Sequence, residues 1–494
     1  KKIFLNTLFG AKIVLFLALV SGVTFFSYVL LVIYVVEALG FLRALLEKRV
    51  KKPILTAKTL MLASVSLYLF LLVLFLAAKI ATATNSFSIV LLFFDIFSGA
   101  LVSLVVLAGQ PFFVALRMLV LRKARKKRMA FSSLVAIGIT GSYGKTSTKE
   151  FLKTILSYKF NVLATEGHNN SEMGIARTIR GKLNAGHEIF IAEMGAYGKG
   201  GIRLLCDMVK PRMGIVTGVN SQHLATFGSM ENLLSAEGGQ ELAEYLPEDG
   251  VIILNGDNQY CLDLYKKLEI PKRIYSARGD RIKADIWAEQ IEYTKDSISF
   301  VVCALAGSFL QQKEMVHITV NLPGLHYLQN VLAAIMAARE LGMSLQEISE
   351  ACKNITQEQS GISIKKGLHG ITVIDSSYSS NPDGVMADLD YLSLFSGKKI
   401  VVMPCLIELG NETGEVHKKI GQKIAGTCDM AIIVTKDKFK EMQAGAVTAG
   451  MDGSKVILCN KPDEIIVNIM SACKEGDAVL LEGRVPGEVI KLLD

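Results

Sequence analysis

The sequence predicts an α/β protein that is preceded by a transmembrane helical segment. Three features predict this fold class: residues 1–129 contain long apolar stretches, short β-rich runs alternate with amphipathic helical segments from Ser132 onward, and a glycine-rich loop follows the first of those runs. Hydrophobic residues make up 51% of the 494 residues and the mean hydropathy is +0.38, so part of the chain is expected to lie in lipid.

The apolar stretches predict about three membrane-spanning helices, at residues 13–36, 60–78 and 87–107, because ~20 helical residues cross the ~30 Å hydrocarbon core. Lysine and arginine are concentrated in the loop after the first stretch and in the segment after the third. The positive-inside rule therefore predicts a multi-pass protein of the cytoplasmic membrane, with its N-terminus outside and everything after the third span in the cytoplasm. The mixture of apolar and basic residues at 111–128 predicts an amphipathic helix that lies along the membrane surface.

One acidic residue, Asp95, falls inside the third apolar stretch. A carboxylate at that depth indicates a functional site by default, because a charge in lipid is costly. The alternative interpretation is a carboxylate that lies near the end of the span or is hydrogen-bonded within the helix bundle. The sequence leaves both open.

The charge distribution indicates a membrane partner and no nucleic acid. Residues 1–129 hold 17 Lys/Arg against 3 Asp/Glu, so residues 130–494 hold the remaining 37 against 43. The basic excess therefore belongs to the apolar part, where it orients helices and meets anionic lipid. The eight cysteines are scattered without a C-x-x-C pair, which is typical of reduced core residues in a cytosolic compartment.

Two series of buried strand-like runs follow the membrane segment. The first predicts strands at residues 135–140, 188–193, 213–218 and 251–255, with helices at about 145–157, 171–182 and 230–246. The second predicts strands at residues 371–375, 399–404, 430–435, 455–459 and 477–482. We therefore predict three domains: a membrane domain (1–129), a central domain with a parallel sheet (130–357), and a Rossmann-like C-terminal α/β domain (358–494).

The strongest local motif is a phosphate-binding loop (P-loop) between the first strand and the first helix of the central domain. The loop residues are Gly141, Ser142, Tyr143, Gly144, Lys145, Thr146 and Ser147. Glycines let backbone N–H groups turn toward phosphate oxygens, and the following helix N-terminus adds positive potential. Lys145 can reach the β- and γ-phosphates and Thr146 can hold Mg²⁺, so we predict ATP and Mg²⁺ as ligands. A chance glycine-rich turn is the alternative.

The loop is shorter than the full P-loop pattern, and together with later motifs it resembles the Mur ligase family. The matching segments are Asn169-Asn170 with Met173-Gly174, Glu193-Met194-Gly195, Asn220-Ser221-Gln222-His223, Gly324-Leu325-His326 with Asn330, Asp375-Ser376-Ser377-Tyr378 with Asn381-Pro382, and Glu408-Leu409-Gly410 with His417. The last two resemble the branch that adds D-alanyl-D-alanine to a UDP-muramoyl tripeptide. The resemblance covers about residues 132–494.

The resemblance implies a ligase that moves the ATP γ-phosphate to a substrate carboxylate, after which an amine displaces phosphate. It implies catalytic roles for Lys145, Glu193 and His223, with Thr146, Glu193 and His223 as ligands of Mg²⁺. It also implies nucleotide contacts from the P-loop with His326, Asn330 and Asp375, and substrate contacts from Asn169, Asn170, Tyr378, Asn381 and Glu408. The implied partners are ATP, a carboxylate such as a UDP- or lipid-linked muramoyl peptide, and an amino acid or dipeptide amine.

The sequence departs from the family pattern at three positions and at its N-terminus. The lysine that the family carbamylates aligns with Gly239, an expected arginine aligns with Gly361, and the second Asp of D-D-S-Y is Ser376. Glu237 or Glu241 could supply a carboxylate in place of the carbamate. The membrane segment stands where the family has its UDP-substrate domain. Three hypotheses stay open: a ligase of cell-wall precursors at the membrane, a ligase for another polymer such as polyglutamate, and a nucleotide-binding scaffold without catalysis.

Overall fold

The computed structural model describes residues 7–21, 25–46, 50, 54–80, 84–220, 222–279, 284–306, 312–377 and 380–493. The chain divides into two compact units, Lys1–Leu119 and Val120–Asp494.

Four apolar helices form the first unit, and the fourth continues into the second. They are α1 (Thr7–Val20), α2 (Phe26–Leu46), α3 (Ala57–Ile80) and α4 (Thr84–Met129). Three helical segments are long and apolar enough to cross a membrane by length and composition: Phe26–Leu46, Lys58–Leu76 and Phe87–Met129.

Two predictions for this part were wrong. The stretch 13–36 is not one span but parts of α1 and α2, because α1 ends at Val20, before Ser21, a residue of modest helix propensity, and α2 begins at Phe26. Residues 111–128 do not form a separate helix, because α4 runs through them without interruption. Pro111 lies inside α4, where its missing N–H costs one hydrogen bond but the flanking Leu, Ala, Arg and Lys residues favour helix on both sides.

A small ionic cluster joins three helices of the first unit. The Nζ atom of Lys12 lies 2.7 Å from a carboxylate oxygen of Glu37 and 2.7 Å from one of Asp95. The hydroxyl of Tyr34 donates to Asp95 at 3.2 Å. Asp95 is therefore bonded within the bundle, as the second interpretation of this residue expected. An ion pair between Lys12 of α1 and Glu37 of α2, together with the short connection between the helices, makes α1 and α2 antiparallel.

The second unit contains two sheets, which confirms the predicted α/β class. The nine-stranded sheet has the order β2-β3-β1-β4-β5-β6-β7-β8-β9, in which β1 to β7 pair in parallel and the last two pairings are antiparallel. Its strands are β1 (Val135–Thr140), β2 (Val162–Ala164), β3 (Ile189–Glu193), β4 (Met213–Val216), β5 (Val251–Asn255), β6 (Lys272–Ser276), β7 (Ile286–Tyr293), β8 (Ile298–Ala306) and β9 (Gln312–Val320).

Helices cover the parallel part of this sheet. They are α5 (Lys145–Leu156), α6 (Glu172–Gly181), α7 (Gly201–Val209), α8 (Leu224–Phe227), α9 (Met230–Ala236), α10 (Gln240–Tyr245), α11 (Gln259–Lys267), α12 (Tyr327–Glu340) and α13 (Leu345–Cys352). Strands β1, β3, β4 and β5 consist almost entirely of buried residues, as expected for strands that are covered on both faces. In the register, Ile139 of β1 pairs with Glu193 at the end of β3. The P-loop and Glu193 therefore leave the same edge of the sheet.

The single helix predicted at 230–246 was wrong. The segment contains two helices, α9 and α10, which are separated at Gly238-Gly239. Gly239 has a φ of 90°, and a Cβ there would lie 2.4 Å from a methyl group of Val216. The helix therefore cannot continue through this glycine pair, and the turn brings Glu237 to the sheet edge.

The second sheet has six strands in the order β10-β11-β15-β12-β13-β14, all parallel except the pairing of β10 with β11. Its strands are β10 (Ser363–Lys366), β11 (Thr372–Ser376), β12 (Lys399–Met403), β13 (Met430–Ile433), β14 (Val456–Leu458) and β15 (Ala478–Glu482). Its helices are α14 (Pro382–Leu392), α15 (Thr413–Thr427), α16 (Phe439–Thr448), α17 (Pro462–Ala472) and α18 (Gly487–Leu493). Ser376 pairs with Glu482 where β11 and β15 both end.

Candidate functional site

A cleft of about 970 Å³ opens between the edge of the nine-stranded sheet and the C-terminal sheet. The P-loop forms one wall, and residues from the start of α14 form part of the other. Side chains bridge the two parts: Asn220 donates to Asp383 at 2.8 Å and to Asn381 at 3.3 Å. The backbone N–H of Ala225 also donates to the carbonyl of Glu408 at 3.3 Å.

Close packing fixes the backbone of the P-loop. Gly141 has a φ of 138°, and a Cβ on it would lie 2.2 Å from the hydroxyl of Thr217. Gly144 has a φ of 73°, and its Cβ would lie 2.5 Å from the side-chain oxygen of Asn330. Only glycine fits both positions. The loop ends at Lys145, where α5 begins, so the first N–H groups of α5 are directed toward the cleft.

Glu193 is buried beside the P-loop and is held by three side chains. Thr146 donates to it at 3.0 Å, Asn170 donates to its other oxygen at 3.0 Å, and the ammonium of Lys149 lies 3.2 Å away. The hydroxyl of Thr146 also lies 3.2 Å from Nδ1 of His168, and burial lowers the pKa of this histidine. A carboxylate and a hydroxyl that meet at the phosphate loop are the hard oxygen ligands that Mg²⁺ prefers.

Lys149 also belongs to the site, although its sequence position gave no sign of it. Its side chain is fully buried one helical turn after Lys145, where it contacts Glu193, Glu150 at 3.2 Å and the carbonyl of Gly167. It therefore ties the carboxylate to the loop that carries Asn170. The i, i+4 spacing from Lys145 was visible in the sequence, but a lysine on an amphipathic helix is normally exposed, so the pattern gave no reason to select it.

A second carboxylate, Glu237, lies on the other side of the P-loop. It accepts a hydrogen bond from Ser142 at 2.9 Å, and Nδ1 of His223 lies 3.2 Å from it. Burial alone would raise the pKa of Glu237, but the charge of Lys145 and the hydrogen bonds from His223 and Ser142 outweigh it and lower that pKa. Nε2 of His223 lies 3.9 Å from Glu408 of the C-terminal part.

The structure distinguishes between Glu237 and Glu241, the two side chains that could supply a carboxylate in place of the carbamate. Glu241 accepts hydrogen bonds from the backbone N–H groups of Gly200 at 2.7 Å and Arg203 at 2.9 Å. It therefore caps the start of α7 and does not line the cleft. Glu237 does line the cleft, so it is the one that faces the phosphate loop.

The predicted metal ligands occupy two places in one cleft. Thr146 and Glu193 are in contact, whereas His223 contacts Glu237. In the part of the chain that the structure describes, no group of three or more His, Cys, Asp or Glu side chains could by itself hold a metal ion. This donor set fits Mg²⁺, which is normally bound by one or two carboxylates and completed by phosphate oxygens and water. Thr146 and Glu193 would hold it, and it would offset the charge of the phosphates.

The other predicted residues differ in how they meet the cleft. Asn330 lines it next to the P-loop, where its side chain packs against Gly144, and His326, Asn170 and Asn381 also line it. Asn169 and Asp375 do not line it; the carboxylate of Asp375 accepts from the backbone N–H of Ser377 at 3.0 Å. Tyr378 lies outside the described residues.

Further cleft residues were not selected from the sequence. Asp257 accepts hydrogen bonds from Ser276 at 2.7 Å, from the N–H of Ala277 at 2.7 Å and from Gln329 at 3.3 Å, and Arg278 and Tyr260 lie exposed nearby along the cleft. In the sequence, the segment after β5 that contains Asp257 could be recognised only as a loop. No local pattern showed that residues of β6 and α12 contact Asp257.

Two family models match the second unit. The model described as Mur ligase middle domain matches residues 139–338, and the model described as Mur ligase, glutamate ligase domain matches residues 362–485. Among the relatives, the UDP-N-acetylmuramoyl-tripeptide–D-alanyl-D-alanine ligase of Synechocystis is 27% identical over 358 residues, which are 70% of this chain and 71% of the relative. The Escherichia coli enzyme of the same name is 27% identical over 353 residues, 69% of this chain and 75% of the relative.

Solved structures show the same fold. The chain superposes on MurF from Acinetobacter baumannii with a TM-score of 0.67 at 22% identity, over 76% of this chain and 80% of the other. It superposes on MurF from Thermotoga maritima, which was solved in complex with ADP, with a TM-score of 0.63 at 23% identity, over 76% of this chain and 83% of the other.

Proposed function

The chain belongs to the Mur ligase family of ATP-dependent ligases, and we propose that it joins an amine to a carboxylate of a peptidoglycan precursor at the cytoplasmic face of the membrane. One observation carries the proposal: the P-loop and the buried Glu193 lie at the same cleft, which the C-terminal domain completes. That arrangement supports ATP, a carboxylate and an amine meeting in one place.

The reaction has two balanced steps. In the first, ATP⁴⁻ and RCOO⁻ give RCO–OPO₃²⁻ and ADP³⁻, which supplies the carbonyl with a leaving group. In the second, R′NH₃⁺ loses a proton, and the neutral amine then attacks the carbonyl of the acyl phosphate. The products are RCO–NHR′, HPO₄²⁻ and H⁺. The N–H groups of the P-loop and the charge of Lys145 hold the phosphates and offset the negative charge that spreads over the transferred group.

The remaining site residues position these partners. Glu193 and Thr146 would hold Mg²⁺ against the phosphates, and Lys149 keeps Glu193 in place. His223, held by Glu237, lies between the P-loop and Glu408, where the acyl phosphate would form. Asn330, which packs against Gly144 of the loop, and His326 line the same cleft and would contact the nucleotide.

A membrane-bound acceptor is the finer part of the proposal. Residues 1–138 lie outside both family models, and three helical segments there are apolar and long enough to span a bilayer. The relatives act, by their names, on a UDP-linked tripeptide. An enzyme that is anchored at the bilayer can take its carboxylate from a lipid-linked muramoyl peptide instead.

A scaffold without catalysis is the second candidate. Gly361 favours it, because a glycine with open space around it stands where the family pattern has an arginine. Purified full-length protein in detergent or nanodiscs decides between the two: it should release phosphate from ATP only when a muramoyl tripeptide and D-alanyl-D-alanine are both present, and Lys145→Ala should abolish the release. ATP binding without release in any mixture would leave the scaffold.

A further inference from the structure

A basic surface lies on the second unit at the end of α4. The last ten residues of this helix contain six Lys or Arg and no Asp or Glu. Leu121 and Ala124, one turn apart, are buried in a hydrophobic cluster of the second unit, so one side of the helix is fixed against that unit. The exposed side carries Arg122, Lys123 and Lys126. The packing of the apolar side therefore directs these three cations outward.

Helix α6 extends this surface. The side-chain ammonium of Lys127 donates to the carbonyl of Arg180 at 2.9 Å, so the C-terminal end of α6 lies against the end of α4. Ile175 and Ile179 of α6 are buried in the same hydrophobic cluster, whereas Arg177 and Arg180 are exposed. The basic surface therefore consists of five side chains from two helices: Arg122, Lys123, Lys126, Arg177 and Arg180.

Little negative charge opposes the basic surface. Among the residues that the structure describes, no ion pair includes any of its five side chains. Asp207 pairs with Arg125 at 2.9 Å, and Glu166 pairs with Lys182, so these two carboxylates have cations of their own. The acidic residue of α6, Glu172, lies in its first turn, away from the end that contacts α4. A cluster of exposed like charges of this kind attracts an anionic partner.

We propose that the basic surface binds the anionic headgroups of the membrane and thereby docks the second unit on the bilayer. Two observations select lipid as the partner. Five exposed cations complement a layer of phosphate groups, and each basic residue close to such a layer typically strengthens binding about fivefold. The helix that supplies three of the cations also contains a segment that is apolar and long enough to span a membrane, so headgroups lie close to the surface.

Docking through this surface leaves the catalytic cleft open. Helix α6 begins just after Asn170, which lines the cleft, and Arg180 lies in its last turn, about 12 Å further along the helix. Lipid bound at the basic surface therefore does not compete with ligands of the cleft. The inference does not depend on the proposed ligase activity, because it concerns a surface at the other end of α6.

Arginine footprinting of the full-length protein in nanodiscs tests the docking. The reagent p-hydroxyphenylglyoxal modifies exposed arginines, and mass spectrometry measures each site. Because α6 follows no apolar segment in the chain, only docking brings Arg177 and Arg180 to lipid. Their modification should be about fivefold or more slower with phosphatidylglycerol in the nanodisc than with phosphatidylcholine alone, and high salt should remove the difference. Arg484, an exposed residue of the C-terminal domain, is the internal control and should react equally in both lipids.

A soluble anion separates a lipid surface from a simple phosphate site. Glycerol phosphate added to phosphatidylcholine nanodiscs should leave the modification of Arg177 and Arg180 unchanged, because a single phosphate contacts few of the five cations. Protection by glycerol phosphate equal to that by phosphatidylglycerol would overturn docking on the bilayer. Equal modification of both arginines in the two lipids would overturn it as well.

A double variant tests whether α4 and α6 act as one surface. Replacing Lys123 and Lys126 by Gln (Lys123→Gln with Lys126→Gln) should restore most of the modification of Arg177 and Arg180 in phosphatidylglycerol nanodiscs, since the remaining charges bind the headgroups more weakly. Lys440→Gln, at an exposed position of α16, is the matched control and should keep the protection. Protection that persists unchanged in the double variant would contradict a shared surface.

Discussion

At the scale of single residues, the site depends on buried charges that hold one another. Glu193 is buried, and Thr146, Asn170 and Lys149 satisfy the oxygens of its side chain. Glu237 is stabilised in the same way by Ser142 and His223. Two fixed carboxylates therefore flank the phosphate loop before any ligand arrives. Glu193 is thereby held ready as an oxygen ligand for the Mg²⁺ that would accompany a highly charged nucleotide.

The first prediction concerns Lys149. Lys149→Met leaves the carboxylate of Glu193 buried without its cation, which typically costs about 3–5 kcal/mol. Denaturant unfolding should show this loss, and kcat should fall more than the KM for ATP rises. Lys153→Met on the exposed face of α5 is the control and should change neither quantity. Adding Glu193→Gln to Lys149→Met should recover stability but not activity; recovery of neither would show that Lys149 acts through other contacts.

The second prediction concerns the pH dependence of stability at Glu482. Burial raises its pKa in the folded state well above the ordinary value of 4.5, so the folded protein binds a proton that the unfolded chain releases. Its contribution is fully present below that value and is lost as pH rises toward the folded pKa. Relative to Glu482→Gln, the wild type should therefore lose free energy of unfolding as pH increases from about 4.5. Parallel stability curves for the two proteins would show that Glu482 is ionised when folded.

At the scale of elements, the sequence predicted the strands of the sheet centres well. The predicted runs at 135–140 and 251–255 match β1 and β5, and those at 399–404 and 477–482 contain β12 and β15. These are apolar runs buried on both faces, so their composition alone identifies them. The order of the strands, and with it the meeting of Ser376 with Glu482, depends on pairings between distant segments that no local pattern records.

The site was predicted to a similar extent. Glu193 ends β3, and Lys145 and Thr146 follow the short loop after β1, so the sequence could place them at one sheet edge. Asp388 lies on a helix and Lys149 is a buried lysine, and the partners of both come from other elements. The two wrong helix predictions have a different cause. Proline and glycine both disfavour helix, yet the helix α4 continues through Pro111, whereas the helical segment is interrupted at Gly239. Neither residue alone reveals whether the helix continues or ends there.

The end of α4 provides the third prediction. Arg128 is buried and donates to the carbonyls of Val209 at 2.9 Å, Phe131 at 3.0 Å and Leu134 at 3.0 Å. Its guanidinium thereby caps the C-terminal end of α7 and ties it to the turn that follows α4. Arg128→Met should lower the free energy of unfolding of the second unit by about 3 kcal/mol, because the buried carbonyls lose their charged hydrogen-bond donor.

Thermal unfolding of the detergent-solubilised protein measures this effect. Arg128→Lys should fail to restore stability, because one ammonium cannot reproduce the fork of donors. Arg122→Met, on the exposed side of α4, is the matched control and should unfold like the wild type. A wild-type melting temperature in Arg128→Met would contradict a capping role.

The antiparallel α1 and α2 provide the fourth prediction, which concerns topology. If the basic loop after α2 is cytoplasmic, α2 runs from outside to inside, and the 14-residue α1, which is shorter than a full span, runs antiparallel to it and ends near the outer turn at Ser21. We therefore expect the residues before α1 to reach the cytoplasmic side, opposite to the orientation predicted for one continuous span. Single cysteines test it, because residues 1–129 contain none. A membrane-impermeant thiol reagent added outside intact cells should label Ser21→Cys and spare Lys2→Cys and Ile54→Cys; labelling of Lys2→Cys would restore the single-span topology.

At the scale of the whole molecule, a ligase unit follows a group of helices that can span a membrane. Substrates differ in where they are found: a UDP-linked peptide diffuses in the cytoplasm, whereas a lipid-linked peptide is confined to the bilayer surface. Confinement raises the local concentration of the second form around an anchored enzyme. Membrane-spanning helices would therefore favour catalysis most if the carboxylate also belongs to the membrane.

The fifth prediction follows from this argument. Full-length protein in nanodiscs that contain lipid-linked muramoyl tripeptide should form the amide with a higher kcat/KM than with the UDP-linked tripeptide at the same bulk concentration. Asp390→Asn serves as the matched control, because its exposed ion pair with Lys423 lies outside the cleft and should not alter this ratio. In detergent micelles at high dilution the preference should shrink, since the two partners no longer share one surface. A preference for the UDP-linked form under both conditions would mean that the helices anchor the enzyme without selecting its substrate.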